Sequence, residues 1–187
     1  SRPCDEACGP DLVSSCSLSL LISGYFDHLH AQNGMSSSGM TGPIISGAAP
    51  PPAAGAAERG AEKILILGHT GKLVKMAAGV FHTHNRIADA RLETLAAYAA
   101  AEGLVQKDVR AVLAANTTED AMEIIAAAGL MERVCVVIAE RVHVRAERYL
   151  FGKVQVGALM VNFAGDILGA DERARSFARS YGWRLEQ

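Results

Sequence analysis

The residues most able to do chemistry lie in one stretch, from the apolar run Lys63–Leu67 to Arg91. That run predicts a buried strand, which we expect to be parallel because its apolar residues do not alternate with polar ones. The segment Gly68-His-Thr-Gly71-Lys72 predicts the turn from this strand into a helix. The N–H groups at a helix start bind anions, and Lys72 and Lys75, three residues apart, can lie beside them on one face. The stretch therefore predicts an anion site.

The spacing within the turn excludes a Walker A phosphate loop. That loop needs four residues between its first glycine and Gly-Lys, followed by Ser or Thr. Here two residues intervene, and Leu73 follows the lysine. By itself, the turn is also compatible with a plain strand-to-helix connection that carries solvated lysines.

Two histidines follow the turn and open a second interpretation. His82 and His84 alternate, so their side chains face the same side if the segment is extended. Together with His69 and Asp89, they are a reasonable ligand set for a metal-dependent hydrolase, although the H-E-x-x-H spacing is absent. The hydrolase is kept as an alternative.

Composition narrows the class of protein. Half of the 187 residues are hydrophobic and the formal net charge is -2, which predicts one folded domain with a tail and no nucleic-acid partner. No apolar run approaches the roughly 20 residues of a membrane helix, so no membrane partner is expected. The four cysteines form neither a dense disulfide framework nor a zinc ribbon, and Cys135 is expected in the core. These features predict a reduced, cytoplasmic protein.

The chain changes character near residue 56. Residues 1–55 are rich in Ser, Gly, Pro and Ala, which predicts a low-complexity or irregular segment with a linker at Pro50–Ala54. Residues 56–187 are expected to fold. The fold class predicted is α/β, a small, mainly parallel sheet with packed helices, preceded by a disordered or irregular N-terminal segment.

Periodicity and end signals place the remaining elements. The helix after the turn is predicted from Leu73, and the next one from Asn85 or Arg86 to Gly103. A capping box is predicted at Asn116–Glu119, with Gly129 ending its helix. Further predictions are a long helix over Leu130–Phe151, a buried strand over Lys153–Phe163, a short paired strand over Ile167–Gly169 and a last helix capped by Asp171.

Three segments of the central stretch resemble the cobalt-precorrin-5B C-1-methyltransferases, enzymes of the anaerobic, cobalt-early route to cobalamin. They are Gly68–Lys75 (GHTGKLVK), Gly79–His84 (GVFHTH) and Ile87–Arg91 (IADAR). The likeness covers roughly residues 56–182 and does not include residues 1–55. Family members are longer, with a further domain before this region, so the resemblance implies a truncated form. One departure is His82, where many relatives have Asn.

The resemblance implies methyl transfer from S-adenosyl-L-methionine to C-1 of a cobalt-precorrin tetrapyrrole that carries many acidic side chains. It implies no resident metal, and it leaves the methyl-donor site and the oligomeric state open, since no glycine-rich methyltransferase signature is present. A non-catalytic fragment that binds an anionic ligand is the other alternative. The residues that the resemblance assigns to catalysis are His69, His84 and Asp89, and those that it assigns to substrate binding are Gly68, Gly71, Lys72, Lys75, Thr83, Arg86 and Arg91.

Overall fold

The computed structural model describes residues 18–22, 45–46, 62–81, 89–180 and 185, with the backbone alone for the first two ranges. Along the described residues, three strands come first, five helices follow, and two strands precede the last helix. The described residues form five strands and six helices: β1 (Leu18–Ile22), β2 (Ile45–Ser46), β3 (Lys63–His69), α1 (Thr70–Ala77), α2 (Arg91–Ala101), α3 (Gln106–Leu113), α4 (Thr118–Ala127), α5 (Met131–Tyr149), β4 (Gln155–Val161), β5 (Ile167–Ala170) and α6 (Glu172–Ser180).

The strands form one sheet in the order β2-β1-β3-β4-β5. The pairings of β1 with β2, β1 with β3 and β3 with β4 are parallel, and β5 returns antiparallel to β4. The predicted α/β class with a mainly parallel sheet is therefore confirmed. Two strands come from the segment predicted to be irregular, and the rest of residues 1–55 lies outside the described residues. The predicted domain boundary at 55/56 stays a prediction.

Both faces of β3 and β4 are buried, which explains their continuous apolar sequences. One face packs under α1 to α5, in a core that includes Ile64, Ile66 and Met160. The other face, with Leu65 and Leu159, packs against α6. The predictions of buried strands at these two positions are confirmed.

The long helix α5 is also confirmed, although its β-branched run VCVVI favours a strand by propensity. Val134, Ile138 and Val142 are fully buried at intervals of four residues, so one stripe of α5 faces the core. Cys135 is fully buried beside this stripe. Burial raises the pKa of the Cys135 thiol to about 12, so the thiol stays protonated at neutral pH, as a core cysteine should.

Two helices begin at other residues than the sequence predicted. The helix after the glycine turn begins at Thr70 instead of Leu73, so Gly71 and Lys72 belong to its first turn. The following helix begins at Arg91, and Asp89 and Ala90 before it are not helical. The start predicted for it, Asn85 or Arg86, falls within residues 82–88, which lie outside the described residues.

The capping box is shifted by one residue from its predicted place. Thr117 Oγ1 accepts from the backbone N–H of Asp120 at 3.0 Å, and Asp120 Oδ2 accepts from the N–H of Thr117 at 3.2 Å. The sequence Asn-Thr-Thr-Glu-Asp offers two overlapping matches to the motif, and the second match leaves Thr118 buried as the first helical residue.

Asp171 caps α6, as predicted, and ties this helix to the rest of the domain. Its carboxylate is fully buried and accepts from the N–H of Ala174 at 2.6 Å and from that of Ala158 in β4 at 3.2 Å. His143 of α5 lies 2.7 Å away through Nδ1. Burial raises the pKa of Asp171, against the opposing effects of Ala174 and His143. The His143 side chain is partly buried.

None of the helices in the described part of the chain combines the length and the apolar character that crossing a bilayer requires.

Gly157 allows α6 to approach β4 closely, and this contact can be tested. A Cβ at position 157 would lie 2.7 Å from the backbone nitrogen of Ala174 and 2.8 Å from its Cα, closer than real Cβ atoms come. Gly157→Ala is expected to lower the free energy of unfolding by about 1–3 kcal/mol, because the helix must move off the sheet. Urea denaturation measures this as a lower midpoint at unchanged slope. Gly71→Ala is the matched control, since its Cβ meets nothing nearer than 3.5 Å. Equal midpoints for Gly157→Ala and the wild type would contradict the prediction.

Candidate functional site

The candidate site lies at the carboxyl edge of β3 and β4. The two strands pair from Lys63 with Gln155 to His69 with Val161, so they end side by side. The helix α1 begins directly at this edge, with His69 in extended conformation as its N-cap and no side chain capping it. The first N–H groups of α1 have no partner within the helix and carry its positive dipole end. The predicted succession of a buried strand and a helix is thus confirmed, but β3 extends to His69 and α1 begins at Thr70, so the predicted turn over Gly68–Lys72 was wrong.

An aromatic side chain covers the turn from the neighbouring strand. Phe163 follows β4 and stacks on the His69 ring, with ring centroids 4.4 Å apart and planes inclined by 26°. Asn162 and Asp166 exchange hydrogen bonds of 2.8 Å and close the loop that carries Phe163. Phe163 remains 62% exposed, so one flat apolar face stands open at the edge.

A carboxylate and a guanidinium are paired beside the helix start. Arg91 donates from Nε to Asp89 Oδ1 and from Nη2 to Asp89 Oδ2, both at 2.7 Å. The Arg91 hydrogen bond holds the pKa of Asp89 below its ordinary value, and Asp89 in turn raises the pKa of Arg91. Asp89 therefore stays ionised at neutral pH and fixes the orientation of the guanidinium.

Lys75 is buried, in contrast to the solvated lysine that the sequence allowed. Its side chain is 1% exposed, while Lys72 is half-buried. Burial lowers the pKa of Lys75, Asp89 opposes this, and the positive charges of Arg91 and Lys72 add to the lowering. Lys72, Lys75, Asp89 and Arg91 thus form one group of interacting charges, and Glu119 acts on Arg91 as a further acid.

The structure brings together the described part of the predicted site. A Cβ placed on Gly71 would lie 3.8 Å from Arg91 Cδ, which joins the start of α2 to the start of α1. The residues that gather at or beside the edge are Gly68, His69, Gly71, Lys72, Lys75, Asp89 and Arg91. The other predicted site residues, Thr83, His84 and Arg86, lie outside the described residues.

The metal alternative gains no support from the described residues. Residues 62–81 and 89–180 contain no group of three or more His, Cys, Asp or Glu side chains that could hold a metal ion. Two members of the proposed ligand set, His82 and His84, lie outside these ranges.

Sequence reasoning missed two residues at this edge, Phe163 and Thr118. The signal for Phe163 was available, because residues that follow neighbouring parallel strands meet at one edge of a sheet. The signal for Thr118 was hidden, because the sequence Asn116-Thr-Thr was interpreted as a cap alone.

Part of the chain is similar to known proteins. Residues 82–172 match the family model described as CbiD, C-terminal domain. The resemblance predicted from the sequence is thereby confirmed for the C-terminal part of the chain. This matched region contains Asp89, Arg91 and Thr118 at the edge, together with Phe163 on the loop after β4.

The CbiD match agrees with curated relatives named cobalt-precorrin-5B C(1)-methyltransferase. The Moorella thermoacetica protein is 40% identical over 126 residues, which cover 67% of this chain and 34% of that protein. The Photorhabdus laumondii protein is 45% identical over 59% of this chain and 30% of its own length. The Thermoplasma acidophilum protein is 48% identical over 46% of this chain and 24% of its own length. The chain thus spans about a third or less of these relatives, and no solved structure matches it.

The Asp89–Arg91 pair predicts a pH dependence of stability. The pKa of Asp89 is lower in the folded chain, so its ionised form stabilises the fold above the ordinary carboxyl pKa, near 4. This contribution is lost as the pH falls through the lowered folded value. The free energies of unfolding of wild type and Asp89→Asn are expected to differ by a constant amount above about pH 5 and to converge at lower pH.

Urea titrations at several pH values measure this difference. The matched control is Glu93→Gln, which changes an exposed acid in the first turn of α2. It is expected to show no such convergence. A wild-type advantage over Asp89→Asn that persists unchanged below pH 3 would contradict the assignment.

Proposed function

We propose that this chain contributes to S-adenosyl-L-methionine-dependent methyl transfer to C-1 of a cobalt-precorrin-5 ring in anaerobic cobalamin biosynthesis. The CbiD match and the names of the relatives support the reaction. The observation that carries the proposal is the edge itself, where the start of α1 lies beside Lys72, Lys75 and the Asp89–Arg91 pair. Such an edge is suited to a ligand with many carboxylates.

The chemistry requires positioning above all. A sulfonium methyl group is already activated, so the protein must hold the ring carbon and the methyl group in line. In the proposal, the peripheral carboxylates of the ring bind to Lys72, Arg91 and the N–H groups at Gly68 and Gly71. The buried Lys75 adds positive charge next to Lys72 and Arg91. Thr83 and Arg86 remain proposed substrate-binding residues.

In the proposal, the stacked pair of His69 and Phe163 contacts the face of the tetrapyrrole, whereas the cations bind the carboxylates at its rim. The exposed side of Phe163 offers apolar area to a flat macrocycle. His69 or His84 takes the role of general base or orients the ring carbon. Asp89 acts in the proposal as a positioning residue, because both of its oxygens hold Arg91.

The methyl donor and the setting of the reaction belong to the same proposal. S-adenosyl-L-methionine is the donor that the resemblance implies, and the cytoplasm is the compartment proposed. The second candidate function is a non-catalytic fragment that binds an anionic ligand. The short coverage of the relatives favours it, because the parts of those proteins beyond the match can carry half of a catalytic site.

A methyl-transfer assay tests the function directly. The purified chain is incubated with methyl-labelled S-adenosyl-L-methionine and cobalt-precorrin-5, and label in the tetrapyrrole is counted. A parallel absorbance titration measures tetrapyrrole binding. Transfer of label that depends on the chain supports the methyltransferase. Binding without transfer supports the non-catalytic fragment, and neither binding nor transfer contradicts both proposals.

The role of Lys72 can be measured by substitution. Lys72→Ala is expected to raise the dissociation constant for the tetrapyrrole about tenfold, because one charge-assisted hydrogen bond to a carboxylate is lost. Lys107→Ala removes an exposed lysine on α3 and is the matched control. An unchanged dissociation constant for Lys72→Ala, or an equal loss in Lys107→Ala, would show that Lys72 does not hold a carboxylate.

A further inference from the structure

The hydroxyl group of Thr118 is buried and makes no hydrogen bond within the part of the fold that the structure describes. The side chain is 1% exposed, and its Oγ1 is buried with no hydrogen-bond partner. The capping of α4 does not need it, because Thr117 and Asp120 form the capping box. A buried hydroxyl without a partner destabilises a fold, so a residue of this kind calls for an explanation.

The Thr118 hydroxyl points to the first turn of α1. A Cβ placed on Gly71 would lie 3.5 Å from Thr118 Oγ1 and 3.9 Å from Arg91 Nη1. The missing side chain of Gly71 therefore leaves a small space that the hydroxyl and the guanidinium share. The N–H groups of the first turn of α1 open to the same end of the helix.

Arg91 has one nitrogen left for this space. Its Nε and Nη2 are engaged by the two oxygens of Asp89. Its Nη1 makes no hydrogen bond within the described part of the chain and lies toward Gly71. The pairing with Asp89 thus turns the third nitrogen of the guanidinium to the helix start.

We propose that Thr118 Oγ1, Arg91 Nη1 and the N–H groups of the first turn of α1 form one pocket that binds a carboxylate. All three groups can donate, which suits an acceptor with negative charge. This inference rests on the proposed function for the source of the carboxylate, since both substrates of that reaction carry one. The ring has peripheral carboxylates, and the donor has the carboxylate of its methionyl part.

Two substitutions test the pocket and separate binding from folding. Thr118→Val keeps the shape but removes the hydroxyl. It is expected to weaken carboxylate binding about tenfold while leaving the urea midpoint equal to or above that of the wild type. Gly71→Ala places a methyl group within 3.5 Å of Thr118 Oγ1 and 3.9 Å of Arg91 Nη1, and it is expected to weaken binding in the same way. Thr118→Ser retains the hydroxyl and is the control that should bind as the wild type does.

Three probes identify the source of the carboxylate. They are a cobalt corrin with free peripheral carboxylates, the same corrin with these groups amidated, and S-adenosylhomocysteine. Binding of the acid corrin that is weakened by Thr118→Val and by amidation to the same extent assigns the pocket to the ring. Thr118-dependent binding of S-adenosylhomocysteine assigns the pocket to the donor.

The inference and the proposed function fail in different ways. Thr118-dependent binding without methyl transfer supports the pocket and contradicts catalysis by this chain. Wild-type affinity in Thr118→Val overturns the pocket, whatever the assay of methyl transfer gives. A urea midpoint in Thr118→Val well below that of the wild type also overturns it, because the hydroxyl would then be structural. The absence of binding of all three probes to the wild type overturns it as well.

Discussion

The parallel pairing of β3 with β4 is the constraint on which the site depends. Both strands are buried on both faces, and their register ends with His69 beside Val161. A slip of one residue would turn every core side chain to the opposite face, so the register is strongly specified. It fixes where α1 begins and where Phe163 leaves the sheet. Core packing of the two strands therefore sets the position of the start of α1 relative to the Phe163 ring.

Several charged side chains lie together at this edge, and the burial of Lys75 strengthens the electrostatic interactions among them. Both oxygens of Asp89 are engaged by Arg91, Asp89 also acts on Lys75, and Glu119 acts on Arg91 as a second acid. The buried amine of Lys75 lies in a medium that screens charge less than water does. In the proposed function, an incoming carboxylate would form hydrogen bonds at this edge and would also oppose the repulsion among Lys72, Lys75 and Arg91. Burial is the main cause of the lowered pKa of Lys75, and the positive charges of Arg91 and Lys72 add to the lowering.

The sequence was sufficient where one local signal outweighed its rivals. Buried strands, the long helix α5 and the cap at Asp171 follow from apolar runs, a repeated stripe and a single acid before a helix. It failed where two signals overlapped. In Asn-Thr-Thr-Glu-Asp, two capping boxes compete, and the packing of Thr118 decides between them. The helix start at Thr70 could not be predicted, because glycine at position 71 disfavours a helix and the burial of Thr70 against the core overrides it.

An anchor far from the reacting carbon contributes to the rate only if it holds the ring in one orientation. In the proposed function, a carboxylate pocket at Gly71 would restrain one point of a flat molecule, and the exposed face of Phe163 would restrain its plane. A point and a plane together leave only rotation of the ring about the anchored carboxylate, and a second carboxylate on Lys72 removes that rotation. Contacts that fix the orientation of the ring raise the rate of the chemical step as well as the affinity, because the uncatalysed reaction must first bring the reactants into the correct orientation. Loss of one anchor should therefore lower both quantities when the rest of the catalytic site is present, and affinity alone when it is not.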